Sequence, residues 1–262
     1  MKAIDLVTPN RFSSIGKSPY TIMVVGQIVF ALILWTMWSN PLVPKPIEVL
    51  RAFPKIAANG LLQEITASLV LCMWATLLTT IISLAVSYLY VIPFFRPLGI
   101  IISKGRFLGL TGLVFLFMVL TGSGYALKLS LQTFGMSVFF VTSMVSILNE
   151  IPNSEYEYAR TLRFNEWRVW LEVVILARRD KAIETLRQIF AIGWTMLTMV
   201  EGIARSDGGI GVMLLNSNKQ MQLDVVFALQ IVILLLGLFA DYVITLLNKV
   251  LSYYAFLETE KK

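Results

Sequence analysis

The chain has 262 residues, 57% of them aliphatic or aromatic and 15% charged, far from the half-apolar, quarter-charged balance of soluble domains. Its formal charge of +6 comes from Lys and Arg in short segments between apolar runs, not from a basic face on a soluble domain, which excludes nucleic-acid binding. With no His and one Cys, Cys72 inside an apolar run, disulfide frameworks, His or Cys zinc sites and His-based triads are excluded as well.

Several runs reach or exceed the roughly 18 apolar residues that cross hydrocarbon, so the sequence predicts an all-α polytopic membrane protein with about six transmembrane helices. Residues 1–19 form a fairly polar tail. Within it Gly16-Lys17-Ser18 mimics the end of a phosphate-binding loop, but Arg11 stands where the first Gly should be and no strand precedes it. The first span, 20–38, ends in Trp35, Trp38 and Pro41 without a small-residue cleavage site and reads as a retained helix. The second, 65–94, is long and the third, 107–122, is short, so a tilted or broken helix is expected there. Gly105-x-x-x-Gly109 at that boundary shapes the turn between them. Spans at 125–148, 182–200 and 223–248 complete a single transmembrane domain, 20–248, followed by a tail at 249–262.

With the N-terminus inside, fifteen Lys and Arg fall in cytoplasmic connections and five outside: Lys45, Arg51, Lys55, Arg205 and Lys219. Both termini are therefore expected on the cytoplasmic side of a bacterial inner membrane. Lys128, Arg187 and Glu201 fall inside spans, where ionisable groups need a partner or a watery path. Arg187 and Glu201 lie on one helix about 21 Å apart and cannot pair. Arg187, with Lys128 and polar Trp194 or Thr195, would give a path a positive potential suited to an anion; alternatively Lys128 and Arg187 snorkel to opposite faces and Glu201 sits in an outer turn.

The longest inner connection is 149–181. Ser154-Glu155-Tyr156-Glu157 has the spacing of a capping box, predicting a helix that carries Ala159, Arg160 and Leu162. Phe164, Trp167, Leu171 and Val174 then recur at three- and four-residue steps with Glu166, Arg168 and Glu172 between them. This is a cytoplasmic helix pair, suited either to a protein partner or to a lipid surface. Nothing resembles a phosphate loop or an acid, base and nucleophile constellation, so the chain is expected to be non-catalytic.

Glu157-Tyr158-Ala159-Arg160-Thr161-Leu162, followed by Val173-Val174-Ile175, resembles the cytoplasmic hallmark of type I ABC importer permeases. Two positions depart from it: Arg163 replaces a Gly and Leu176 a Pro. Pro44-Lys45-Pro46-Ile47-Glu48-Val49-Leu50, Ser68-Leu69, Gly122-x-Gly124-x-x-x-Lys128 and Glu201 with Gly208-Gly209-Ile210-Gly211 are similar to segments of the nitrate, sulfonate, taurine and bicarbonate branch. The resemblance covers 44–247. It implies a coupling helix, Glu157, Ala159, Arg160, Leu162, Arg163 and Phe164, docked on a cytoplasmic ATPase that binds ATP and Mg, with no cofactor in this chain. It further implies a permease homodimer in membrane lipid and an extracytoplasmic solute-binding protein. The translocation path would draw on Lys128, Arg187, Trp194 and Glu201 for a nitrate-, sulfonate- or taurine-like solute, although heterocyclic cofactor precursors use related permeases. An ATPase-independent carrier or channel, or a permease-like scaffold with altered coupling, are the alternatives.

Overall fold

The computed structural model describes residues 17–37, 43–205 and 207–251. The tails expected at 1–19 and 249–262 lie largely outside these residues, as do Gly16, Trp38 and Pro41. The described chain is helical: α1 (Lys17–Met37), α2 (Pro46–Ala58), α3 (Leu61–Leu89), α4 (Arg96–Lys104), α5 (Leu110–Thr121), α6 (Tyr125–Asn149), α7 (Asn153–Thr161), α8 (Glu166–Val169), α9 (Arg179–Ile203), α10 (Ile210–Lys219) and α11 (Leu223–Leu251).

All six predicted spans fall on helices. Among the described residues α3, α6 and Leu223–Leu246 of α11 are long and apolar enough to cross a bilayer, and Thr21–Met37 is apolar but shorter. The break expected near the third predicted span, 107–122, lies at its start: Pro93–Phe107 and Leu110–Thr121 meet at 120° across Leu108 and Gly109. The Gly105-to-Gly109 segment thus makes the turn. The second predicted span ends sooner than expected, at Leu89, because Pro93 has no N–H to continue a helix and pushes Ile92 into extended backbone.

α3, α6 and α9 form the centre, with α6 packed between the other two. Small and hydroxyl-bearing residues of α3, Ser68, Cys72, Ala75, Thr79, Ser83 and Ser87, recur at three- and four-residue steps on its buried face. They let the helix axes approach closely, as apolar bulk would not. Thr79 Oγ1 donates to the Thr133 carbonyl of α6 at 3.3 Å, and Gln132 Nε2 of α6 donates to the Gly193 carbonyl of α9 at 2.6 Å. Met136, Phe140, Met144 and Ile189 fill the space around these polar contacts. α10, α11 and α2 close a second cluster about Leu71, Trp194, Leu197 and Leu229. α1 stays at the edge, tied by Trp35 Nε1 donating to the Pro44 carbonyl at 3.0 Å.

The exposed faces of α1, α5 and α11 are Ile, Val, Leu and Phe, as lipid contact requires. Exchanging the fully enclosed Phe140 for Ala should lower stability by about 3 kcal/mol, whereas Phe115→Ala on the lipid-facing side of α5 should cost under about 0.5 kcal/mol. Thermal unfolding of the detergent-solubilised variants measures both, and equal losses would mean that the α3–α6–α9 core is misplaced.

Candidate functional site

Two groups of polar residues occupy opposite ends of the bundle. At one end the N-termini of α3 and α6, the C-terminus of α9 and the start of α10 converge. The first turn of α10 has free backbone N–H groups, as any helix start does. Here side chains from other helices satisfy them. The Gly209 N–H donates to Glu64 Oε2, the Ile210 N–H donates to Ser68 Oγ at 2.9 Å, and the Gly211 N–H donates to Glu201 Oε2 at 2.7 Å. Ser68 Oγ in turn donates to Glu201 Oε1 at 2.6 Å. Carboxylates at a helix N-terminus are favoured by its dipole as well as by the hydrogen bonds.

Lys128 supplies the cation. Its Nζ donates to the Gly208 carbonyl at 2.7 Å and interacts electrostatically with Glu201, Asp207 and Glu64. Lys128 is 2% exposed and Glu201 1%, so neither snorkels and neither lines an open passage. Gly209, at φ +116°, has a backbone closed to side-chain-bearing residues, and a Cβ there would strike the Glu201 carboxyl. At Gly211 a Cβ would strike the Thr198 carbonyl of α9. The glycines therefore allow α10 to sit against two carboxylates.

Arg187 belongs to the other half of α9. Its guanidinium holds Glu184 through Nε at 3.2 Å and Nη2 at 2.8 Å, and Asp241 of α11 through Nη1 at 3.3 Å. Trp194 spends its indole N–H on the Ile233 carbonyl at 3.0 Å, with its ring over Gly237. The four path candidates are thus separated: Lys128 and Glu201 share one buried network, Arg187 is in an acidic pair, and Trp194 joins α9 to α11.

The connection 149–181 folds against the end remote from that network. α7 starts at Asn153 with Pro152 at its N-cap, and no side chain caps it. The predicted Ser154–Glu157 capping box is therefore not formed, because the chain enters the helix two residues earlier, through the extended Pro152. Glu155 instead takes both of its oxygens to Arg178 Nη2, at 2.6 and 2.7 Å. Ala159 packs into a cluster with Leu148, Ile151, Val169, Val173 and Val174, against which Tyr156 and Phe164 also lie.

Arg163 has φ +55°, so the turn keeps the left-handed backbone for which Gly is the usual residue. The cost to a residue with a Cβ is about 1 kcal/mol. Around it Arg160 Nε and Nη2 bind Glu166 at 3.0 and 3.1 Å, holding that carboxyl below its ordinary range, and the Arg168 guanidinium stands 4.3 Å over the Phe164 ring. The predicted Phe164, Trp167, Leu171, Val174 stripe is only partly buried: Trp167 and Leu171 face out, and Val169, Val173 and Val174 face in. For Leu171 and Val173 the reason is a π-helical stretch, Trp170–Leu176, whose wider turn shifts the register; Trp167 precedes it, on the single turn of α8. With Leu176 where a Pro would stop it, that stretch runs on until the Ala177 N–H reaches the Glu172 carbonyl at 3.0 Å.

Glu157, Tyr158, Leu162, Arg163 and Trp167 consequently project outwards from the bundle, while Phe164 packs inwards. Sequence reasoning missed Glu64, four residues before Ser68 and so on the same face of α3; that spacing was the available signal. Among the described residues no group of His, Cys, Asp and Glu is placed to hold a metal ion.

The profile of the binding-protein-dependent transport system inner membrane components matches residues 11–253. A chain of the methionine ABC transporter MetNI, in a crystal form showing inward-facing conformations, superposes with a TM-score of 0.56 at 16% identity, over 72% of this chain and 95% of that one. That likeness is one of fold. No curated protein sequence matches.

Replacing Lys128 by Met leaves Glu64 and Glu201 without their cation and should destabilise the protein by about 3–5 kcal/mol. Adding Glu201→Gln to that variant should recover part of the loss. A double-mutant cycle on thermal unfolding checks this, and strictly additive effects would show that the two residues do not act together.

Proposed function

The chain belongs to the binding-protein-dependent transport system inner membrane components, and from that premise we propose that it is the path-forming subunit of an ATP-driven importer of a small solute. Its ATPase would dock on α7, α8 and the turn between them. The observation that carries this reading is the outward face of that segment. Tyr158, Leu162 and Trp167 are exposed large side chains on a connection outside the spans, ringed by Glu157 and Arg163. Apolar anchors with a charged rim are the composition of a protein interface.

Packing explains how docking there could reach the membrane. Ala159, Val173 and Val174 share one cluster with Leu148 and Ile151 at the end of α6 and with Tyr88 and Val91 at the end of α3. Trp170 Nε1 donates to the Tyr88 carbonyl at 3.1 Å, and the Glu155–Arg178 pair ties α7 to the start of α9. A push on α7 therefore bears on all three central helices at once. Arg163 holds the turn in the geometry that Gly would give, which speaks for coupling rather than for a scaffold that has lost it.

ATP and Mg would be bound by the partner ATPase, with none in this chain. A second copy of the chain would complete the path, and a solute-binding protein would deliver the solute at the Gly208–Gly211 end. The positive-inside distribution of Lys and Arg supports that orientation, with both termini cytoplasmic.

The solute's charge is a separate matter. The segments at Pro44–Leu50 and Gly122–Lys128 favour the nitrate, sulfonate and taurine branch and hence an anion. The expected anion-attracting groups give no help to that reading, since Lys128 is enclosed and Arg187 carries two carboxylates.

Affinity purification of the full chain from its native host, with mass spectrometry of what co-purifies, tests the assignment. A phosphate-loop ATPase should be recovered, and Glu157→Lys should reduce that recovery about tenfold or more while leaving membrane insertion and thermal stability unchanged. Recovery of a partner-free oligomer from both forms would favour an ATPase-independent carrier.

A further inference from the structure

Between α9 and α11 lies an open groove of about 490 Å³, in the size range of small-molecule sites. Its walls are Phe190, Trp194, Ile233, Leu234 and Leu238, and its polar groups are Thr195, Gln230 and Asp241. The floor is built rather than accidental: the Trp194 indole is pinned by its bond to the Ile233 carbonyl and rests on Gly237, where any side chain would displace it.

Two observations say what could occupy it. Gln230 is exposed a third of the way along a largely apolar span, and its amide has no hydrogen-bond partner among the described residues. Facing hydrocarbon, it would carry the cost of an unsatisfied polar group, so water or a polar ligand suits this groove better than acyl chains do. The second observation is charge. At the far end, about 16 Å along α11 from Gln230, Arg187 sits between Glu184 and Asp241, which leaves one uncompensated negative charge. The carboxylate side chains are also the more exposed, at 48% and 43% against 32% for Arg187. Of these three groups only Asp241 lines the groove itself, so a solute there meets its carboxylate rather than the guanidinium.

We propose that the α9–α11 groove is a solute-binding segment of the transport path, selective for a small organic cation: an amino or other cationic group near Asp241, and an apolar body against Phe190, Trp194 and Leu238. The proposal rests on the permease reading for its purpose, and it reverses the anion that Arg187 alone and the resemblance at Pro44–Leu50 and Gly122–Lys128 predict. The ammonium end would share Asp241 with Arg187, and Gln230 and Thr195 would take a hydrogen-bonding group at the opposite end.

The test uses thiol chemistry as a local probe of charge and wetness. Cys72 is the sole cysteine and is buried, so the full chain in phosphatidylcholine nanodiscs is a quiet background. Leu238→Cys and Gln230→Cys place single thiols near to and far from Asp241. Each is reacted with trimethylammonioethyl methanethiosulfonate and with sulfonatoethyl methanethiosulfonate, rates being normalised to free cysteine. The cationic reagent should be favoured about fivefold at position 238 and less at 230, and Asp241→Asn should bring the ratio at 238 close to one. Preference for the anionic reagent, a ratio that Asp241→Asn leaves unmoved, or no reaction at either position, as a lipid-filled groove would give, each overturns the proposal. Cation preference in a chain that recovers no ATPase would sink the importer and leave the groove; ATPase recovery with anion preference would do the reverse.

Discussion

Four helix ends meet at one buried lysine. α10 must begin against α3 and α9 for the bundle to close, yet a helix start brings unpaired N–H groups with it. Glu64, Ser68 and Glu201 answer those donors, and the carboxylates then need a cation, which Lys128 provides. Each element is thereby made dependent on the others. Such an arrangement contributes less to net stability than its short distances suggest, because desolvating the charges is costly; its larger effect is on register. Lys128 can reach the Gly208 carbonyl only if α6, α9 and the glycine loop are all in place.

The opposite end is joined by different means. There the contact of α7 and α8 with α3, α6 and α9 is chiefly apolar, with one buried-side ion pair at Glu155 and Arg178. Apolar packing is less directional than hydrogen bonds, so apart from the Glu155–Arg178 pair this end can accommodate a shift in α7. The exposed Arg160–Glu166 pair links α7 to α8 but adds little to stability. A bundle locked at one end and compliant at the other fits a device that responds to force from a single side.

Much of the architecture was legible because lipid exposure writes itself into composition. The six apolar runs coincide with helices, and the sequence also marked 149–181 as a folded connection. The misses have physical causes. Pro93 ended α3 early, and α2 was noticed as a motif but not as a helix. The capping box at Ser154 failed because spacing alone cannot tell N-cap from first turn. The stripe through Leu171 assumed 3.6 residues per turn, where the chain adopts a π-helical stretch. Lys128, Arg187 and Glu201 were recognised as needing partners; Glu184, three residues before Arg187, was within reach of helical spacing, but the others are far away in sequence: a loop carbonyl at Gly208, a hydroxyl at Ser68 and a carboxylate at Asp241. Linear proximity carries no trace of them.

The break at Leu108 and Gly109 bears on the surrounding bilayer. α5 has twelve residues and rises about 18 Å, well short of a hydrocarbon layer of about 30 Å. α4 turns away at a steep angle instead of extending it, with Lys104 and Arg106 close to the bend. A span this short is met by lipids that compress or tilt towards those charges, so the bilayer along this flank would be elastically loaded. Acyl-chain length becomes a mechanical variable for this protein, and shorter chains relieve the load.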